Sequence, residues 1–180
     1  LDRLEAAVRA AHSSRTIRDL TVTDEPPDPT ACIAGTAVCA GDNRDTVYPR
    51  SEFFAFPENP LAFVVVYGVN HEVAGKATYS NFSVYALRHL LGVTSVQSRQ
   101  LRGSAEDYLP GDPMASQLYA WRIARRCGST PHCVEIPSDC PGVPTLGLAN
   151  VTFRAYLEPA THTRPLQSEL LTDRVVVFEP

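Results

Sequence analysis

The stretch Leu61-Ala-Phe-Val-Val-Val-Tyr-Gly-Val69 decides the fold class of this 180-residue chain. It is rich in valine and aromatic residues, and it is too short for a typical buried helix. We therefore interpret it as a core β-strand. It is also too short to span a bilayer, which takes about 20 apolar residues.

Further strand signals lie on both sides of this stretch. Apolar and polar residues alternate or cluster in short runs at residues 16–23, 76–85, 93–96, 133–136, 150–157 and 174–178. Residues 118–126 fit a strand with one aromatic face, although Asp112-Pro113 and Gly128 would also suit the two ends of a helix. We favour the strand. Fifteen prolines and ten glycines separate these runs, which predicts an antiparallel β-sandwich or jelly roll.

The N-terminal residues show a different period. Leu1, Leu4, Val8 and Ala11 recur at helical spacing, so residues 1–12 predict a short amphipathic helix. Such a helix is marginal alone in water and must dock on the body of the protein or on a partner chain. No repeat or low-complexity linker is visible, so we expect one domain over residues 1–180.

Composition and charge narrow the functional class. Apolar residues make up 44% of the chain, and the net charge is −4 with a pI near 5.7. A nucleic-acid-binding protein normally carries a basic face, so this balance argues against that class. The motifs GxSxG, GxxxxGK[ST], GxGxxG and HExxH are all absent, so no familiar catalytic motif names a reaction.

The cysteines indicate the compartment. The chain has five, at positions 32, 39, 127, 133 and 140, and their close spacing suits disulfides formed in an oxidising environment. We expect Cys32–Cys39 to staple a loop over residues 26–50. Cys127 pairs with Cys133 or Cys140, or remains as the odd thiol for a metal or another chain. Leu1 in place of a methionine predicts a chain that begins after a cleavage, and a secreted, extracellular or periplasmic location follows.

Two sequons add a further expectation for an extracellular chain. Asn81-Phe-Ser83 and Asn150-Val-Thr152 match the N-glycosylation triplet, so the sequence permits a glycoprotein.

Three segments resemble a known group of proteins. Asn43-Arg-Asp-Thr-Val-Tyr48, Ala77-Thr-Tyr-Ser-Asn-Phe-Ser-Val-Tyr85 and Phe153-Arg-Ala-Tyr-Leu-Glu-Pro159 look like parts of uncharacterised bacterial envelope proteins. Those proteins carry an Asn-Arg-Asp-Thr-x-Tyr segment ahead of paired strands. The resemblance implies a β-sandwich in a secreted setting and carries over no function.

Two metal sites can be read from the residues. Asp42, Asn43 and Asp45 offer oxygen ligands of the kind that calcium favours, although the same residues also suit a hydrogen-bonded turn with an Arg44–Asp45 pair. Cys127 and His132 resemble the C-x4-H spacing of azurin-like blue-copper proteins, with His71 as the upstream histidine. That resemblance implies a copper site and Cys133–Cys140 pairing. However, the single methionine, Met114, precedes Cys127, and two arginines flank the cysteine.

A looser polar group follows the strongest strand. His71, Glu72 and Lys76 come directly after Val69, where a rigid strand end favours a preorganised site. His71 with Glu72 and His89 would suit zinc or copper without a cysteine. The alternative is an ordinary polar hairpin turn.

Aromatic residues indicate a binding face. Tyr79, Tyr85, Tyr119 and Trp121 lie in the predicted strands and would line one sheet or fill the core. Taken together, the sequence predicts a secreted, disulfide-stapled binding or assembly module for a protein or small-molecule ligand. The alternative is a copper oxidoreductase around His71. A third hypothesis is a structural subunit that joins a partner chain through its helix or its odd cysteine.

Overall fold

The structure is a computed structural model that describes residues 1–23, 31, 34–36, 45–88, 91–139 and 147–180. In chain order the helices and strands are α1 (Asp2–Ala11), β1 (Thr16–Leu20), β2 (Val22–Thr23), β3 (Thr46–Val47), β4 (Arg50–Ser51), β5 (Phe54–Ala55), β6 (Phe63–Val69), β7 (Tyr79–Ala86), β8 (Leu91–Gln97), α2 (Ser98–Leu101), β9 (Leu118–Ala124), β10 (Cys133–Glu135), β11 (Leu148–Tyr156) and β12 (Arg174–Glu179). Short 3₁₀ turns cover Ser104–Asp107, Ala115–Gln117 and Gln167–Glu169.

The strands form two sheets. The first sheet has the order β1-β12-β6-β9-β10, and the second has the order β2-β4-β11-β7-β8 with β3 and β5 also paired to β11. All pairs in the second sheet are antiparallel. In the first sheet β10 runs parallel to β9, and the other described pairs are antiparallel.

The inner faces of the two sheets pack against each other as a sandwich. Val64 and Val66 of β6 meet Phe82 and Val84 of β7 in one cluster of side chains that are essentially inaccessible to water. The predicted β-sandwich is thereby confirmed. The sequence of β6 is continuously apolar because its opposite face is covered as well.

Helix α1 covers that opposite face. Leu4 and Val8 are fully buried against Val65 and Tyr67 on the outer face of the first sheet. Their spacing of four residues places both side chains on one stripe of the helix. The prediction of a docking helix is confirmed, and the body of the protein itself provides the docking surface.

The strand predictions agree with the structure except at short elements. Residues 118–124 form the strand β9, so the helical alternative for this segment is wrong. The stretch at 26–50 was predicted as a loop, yet Thr46–Val47 and Arg50–Ser51 pair with the long strand β11. Two-residue strands leave no period to detect. The predicted Cys32–Cys39 staple lies outside the described residues.

Candidate binding surface

The outer face of the second sheet follows from simple alternation along β7 and β11. Phe82 and Val84 of β7, with Val151 and Phe153 of β11, point into the sandwich core. The residues between them therefore face outward. They are Tyr79, Asn81, Ser83 and Tyr85 on β7, and Asn150, Thr152, Arg154 and Tyr156 on β11.

Arg154 holds the centre of this face. Its guanidinium donates to the Ser83 hydroxyl at 3.2 Å and to the Tyr85 hydroxyl. Its Cζ lies 5.1 Å from the ring centroid of Tyr48 and 5.5 Å from that of Tyr85. Burial alone would lower the pKa of Arg154, but the hydroxyls of Tyr85 and its neighbours raise it above the ordinary value. The cation is thus fixed by phenols and a serine.

Aromatic rings extend the face toward one end of the sheet. Tyr79 and Tyr156 lie directly opposite each other on β7 and β11, with ring centroids 5.4 Å apart. The strands β7, β8 and β11 contain no aspartate or glutamate. Tyrosine and arginine are enriched at protein interfaces, and antibody paratopes add serine and asparagine. Burial raises the pKa of Tyr156, and the carboxylate of Asp45 near this face raises it further.

The strand β8 borders this face and ends the sheet. Its sequence Leu91-Gly-Val-Thr-Ser-Val-Gln97 has no charged residue and no proline, and Leu91 is 53% exposed. The ring of Tyr85 covers Gly92, because a Cβ there would meet the ring at 3.6 Å. In the described part of the chain, β8 pairs only with β7.

The other sheet edges differ from β8. The edge strand β1 carries Arg18 and Asp19, β10 has three residues, and β2 has two. Charges and short length are the usual devices that prevent strand addition at an edge. Within the described residues, β8 is the long edge without charges, although its pairing with β7 has a register shift between Val84 and Tyr85.

The predicted aromatic set is divided between the two sheets. Tyr79 and Tyr85 belong to the face described above. Trp121 lies on β9 of the first sheet, partly buried against the core, and Tyr119 is buried with its ring stacked on Phe82. Arg154 and Tyr156 were missed as site residues, although their alternation with Phe153 and Ala155 placed them on an outward face.

His71 follows β6 and lines a small cavity together with Tyr119 of the first sheet and Arg154 of the second. It is 7% exposed, and burial lowers its pKa to about 4, against a hydrogen bond with the backbone of Leu171 that raises it. Asp173 lines the same cavity and accepts a hydrogen bond from the Tyr119 hydroxyl at 2.7 Å. Burial raises the pKa of Asp173 to about 7, despite the hydrogen bond that lowers it. Of these two groups, Asp173 alone has a pKa near neutral pH.

The cavity between these groups limits what they can do. Its volume of about 20 Å³ admits about one water molecule. The Asp173 carboxylate lies directly against the backbone at Gly68, where any Cβ would overlap Oδ1. Nothing in this geometry leaves room for a substrate.

The side chains predicted to form a site with His71 form ion pairs with other residues. Glu72 pairs with Arg102 at 2.7 Å and accepts a hydrogen bond from Ser98. Lys76 forms ion pairs with Glu158 and, at 3.0 Å, with Glu169. These contacts tie the turn after β6 to the segments around residues 158 and 169. His89 lies outside the described residues.

The structure separates the three residues of the predicted copper set. Cys127 forms a disulfide with Cys133, so in this oxidised form it offers no thiolate. His132 pairs with Asp107 at 2.7 Å, and His71 lies in the cavity described above. The described residues contain no group of three or more histidine, cysteine or acidic side chains that would hold a metal ion.

The predicted calcium loop is described only at its end. Asp42 and Asn43 lie outside the described residues. Asp45 is exposed, and its carbonyl accepts a hydrogen bond from the Leu157 amide at 2.9 Å. The calcium site therefore stays a prediction.

Both sequon asparagines lie within strands. Asn81 Nδ2 donates to Ser95 Oγ at 3.0 Å, and Asn150 Nδ2 donates to Thr152 Oγ1 at 3.2 Å. Asn150 is 5% exposed. A glycan on either residue stays a prediction, and it would cover the tyrosine face.

Comparison with protein-family models, curated proteins and solved structures finds no match to this chain. The resemblance to envelope β-sandwich proteins therefore stays an expectation. In the described residues, no helix is long and apolar enough to cross a membrane.

Proposed function

We propose that this chain is a secreted binding module that recruits an extended segment of another polypeptide. The segment adds as a further strand at β8, and its side chains rest on the tyrosine face of the second sheet, which we define as Tyr48, Tyr79, Tyr85, Arg154 and Tyr156. The Cys127–Cys133 disulfide supports the oxidising compartment.

The edge strand β8 is the observation that carries this proposal. A free edge offers a row of backbone donors and acceptors, and strand addition uses them for affinity. Specificity then comes from the side chains beside the edge. The seven uncharged residues of β8 provide the first element, and the tyrosine face provides the second.

The charges around β8 indicate the chemistry of the partner. Arg88 precedes the strand, Arg99 follows it, and both are exposed. Arg154 adds a cation on the adjoining face, and the three strands supply no carboxylate. We therefore expect a partner segment in which β-branched or aromatic residues alternate with aspartate or glutamate. Two copies of this chain would instead bring like charges together.

Selection from a displayed library of random peptides tests the proposal. The wild-type chain is the bait, and selected peptides are measured against Thr94→Lys on β8 and Arg154→Gln on the face. We expect acidic, alternating peptides whose affinity falls about tenfold or more with each variant, since a lysine blocks the edge and the glutamine removes the cation. Thr16→Lys is the matched control, because it places the same charge on the edge strand β1.

Two outcomes would overturn the proposal. The first is a selection that returns no binding peptide. The second is a set of peptides that bind Thr94→Lys and Thr16→Lys equally well.

The metal-dependent oxidoreductase around His71 has weaker support. It would need a substrate to reach a cavity that admits about one water. The Asp173–Tyr119 hydrogen bond and the neutral His71 are better explained as a satisfied buried polar cluster.

A further inference from the structure

A separate cavity lies on the outer face of the first sheet. It has a volume of about 220 Å³ and opens between the 3₁₀ turn Ser104–Asp107 and the loop closed by the Cys127–Cys133 disulfide. Tyr108, Ala120 and Arg122 form one side. Thr130, Pro131 and His132 form the other, and all three lie inside the disulfide loop. This volume equals that of about seven water molecules in the liquid.

Arg122 is held in place from several directions. Its backbone amide donates to the His132 carbonyl at 2.8 Å, which fixes the strand beside the loop. Its Cζ lies 3.7 Å from the ring centroid of Phe63, a close cation–π contact. The guanidinium is therefore a rigid wall of the cavity.

The guanidinium nevertheless lacks acceptors. Within the described part of the chain, its Nε is buried and donates to no group, and its Nη1 has the Thr130 hydroxyl as its one acceptor, at 3.5 Å. Among the described residues no carboxylate lies within ion-pair distance of Arg122. Burial lowers the pKa of Arg122, and the nearby Arg15 lowers it further. Arg122 is half-buried, and even partial desolvation of an arginine without a counter-ion carries a cost that no ion pair offsets.

The charged groups that line the cavity favour an anion with a single charge. Asp107 also lines the cavity, and its carboxylate pairs with His132 at 2.7 Å. One unpaired cation beside one carboxylate suits a monoanion better than a phosphate dianion. The ring of Tyr108, the methyl group of Ala120 and the ring of Pro131 add apolar surface for an organic body.

We propose that this cavity binds a small organic carboxylate, whose oxygens accept hydrogen bonds from the Arg122 guanidinium and the Thr130 hydroxyl. The site is independent of the tyrosine face, because it lies on the other sheet. Planar guanidinium and planar carboxylate form the geometry that arginine favours.

Titration with benzoate and benzamide tests the assignment. The two molecules have nearly the same shape, and benzamide lacks the charge. We expect calorimetry to give at least about tenfold tighter binding for benzoate. In ¹H–¹⁵N spectra, the Nε–Hε signal of Arg122 should shift with benzoate, and that of Arg154 should not.

Two variants and a control complete the test. Arg122→Gln should abolish benzoate binding, and Arg122→Lys, which keeps the charge and the stem, should weaken it. Arg126→Gln removes an exposed arginine nearby and should leave binding unchanged. Equal binding of benzoate and benzamide would overturn the proposal. So would unaltered benzoate binding by Arg122→Lys, or the absence of any Arg122 shift with benzoate and with acetate.

Discussion

The outer faces of the two sheets differ in what covers them and in their edge strands. On the first sheet, helix α1 covers the apolar face with the fully buried Leu4 and Val8, and the edge strand β1 is charged. On the second sheet, the described residues place no helix over the outer face, which is lined by tyrosines around Arg154 and ends at the uncharged strand β8. The chain itself covers the outer face of the first sheet, and we infer that a partner covers the outer face of the second sheet.

Two arginines show the reverse contrast at the level of single residues. Arg154 and Arg122 are both half-buried against aromatic rings. Phenol and serine hydroxyls satisfy Arg154, and its pKa rises above the ordinary value in spite of burial. Arg122 has one long hydrogen bond, and burial lowers its pKa. Arg154 is therefore ordered within the tyrosine face, whereas Arg122 keeps a donor that has no partner among the described residues.

The largest expected effect on stability concerns the buried carboxyl group of Asp173. Because burial raises its folded-state pKa from 3.8 to about 7, its contribution to stability is fully present below pH 3.8 and is lost as the pH rises to about 7. Asp173→Asn cannot ionise and should gain stability relative to wild type over this range. At about 1.4 kcal/mol per pH unit, the gain approaches about 4 kcal/mol at pH 8. Urea denaturation at pH 4 and pH 8 measures it.

His71 should act in the opposite direction. Burial lowers its pKa from 6.5 to about 4, so its contribution is present above pH 6.5 and is lost as the pH falls toward 4. His71→Gln should therefore destabilise less at pH 4 than at pH 7. A constant difference between Asp173→Asn and wild type across pH would contradict the buried polar cluster.

Truncating one side chain on each outer face should cost different amounts of unfolding free energy. Leu4→Ala truncates a fully buried side chain of α1 and should cost about 3 kcal/mol of unfolding free energy. Tyr79→Ala on the tyrosine face should cost about 1 kcal/mol, because the tyrosine ring is only half-buried. Chemical denaturation of both variants gives the comparison. Similar losses would mean that the tyrosine face is packed as tightly as the helix contact.

Loss of the disulfide should change the shape of the cavity while the β-sheet fold is kept. Cys127 and Cys133 close a loop with a sequence separation of 6, so the paired replacement Cys127→Ser with Cys133→Ser should cost about 2 kcal/mol. Because this loop supplies Thr130 and His132, benzoate affinity should fall about tenfold while the β-sheet circular dichroism is kept. Retained affinity in the double variant would show that the loop does not shape the cavity.

The smallest expected effect is on the stability of the two edge strands. Thr16→Lys on β1 should change the unfolding free energy by less than about 0.5 kcal/mol, because Thr16 is exposed. Thr94→Lys on β8 should cost about 1 kcal/mol, because Thr94 is half-buried opposite the core residue Val84. Thermal melting checks this. A large loss for Thr94→Lys would make it unsuitable as a probe of binding, and Leu91→Lys would then replace it at the exposed end of the strand.

Long periodic elements were predictable from the sequence, and relationships between distant segments were not. The apolar run ending at Val69 and the alternation of residues 118–124 were sufficient to identify β6 and β9. Asp173 lines the same cavity as His71 although it lies about 100 positions later, and no local pattern links the two. Arg122 was visible as a charge on an apolar stripe. Only the fold shows that its Nε has no acceptor among the described residues.

Amide hydrogen exchange of the free protein and of its complex with a selected peptide tests the central claim most directly. Strand addition predicts that exchange slows at alternate amides of β8 (Leu91–Gln97), since every second N–H of an edge strand points outward. Amides of β1 should exchange unchanged. Protection confined to β1, or protection that leaves β8 as fast as in the free protein, would contradict the account.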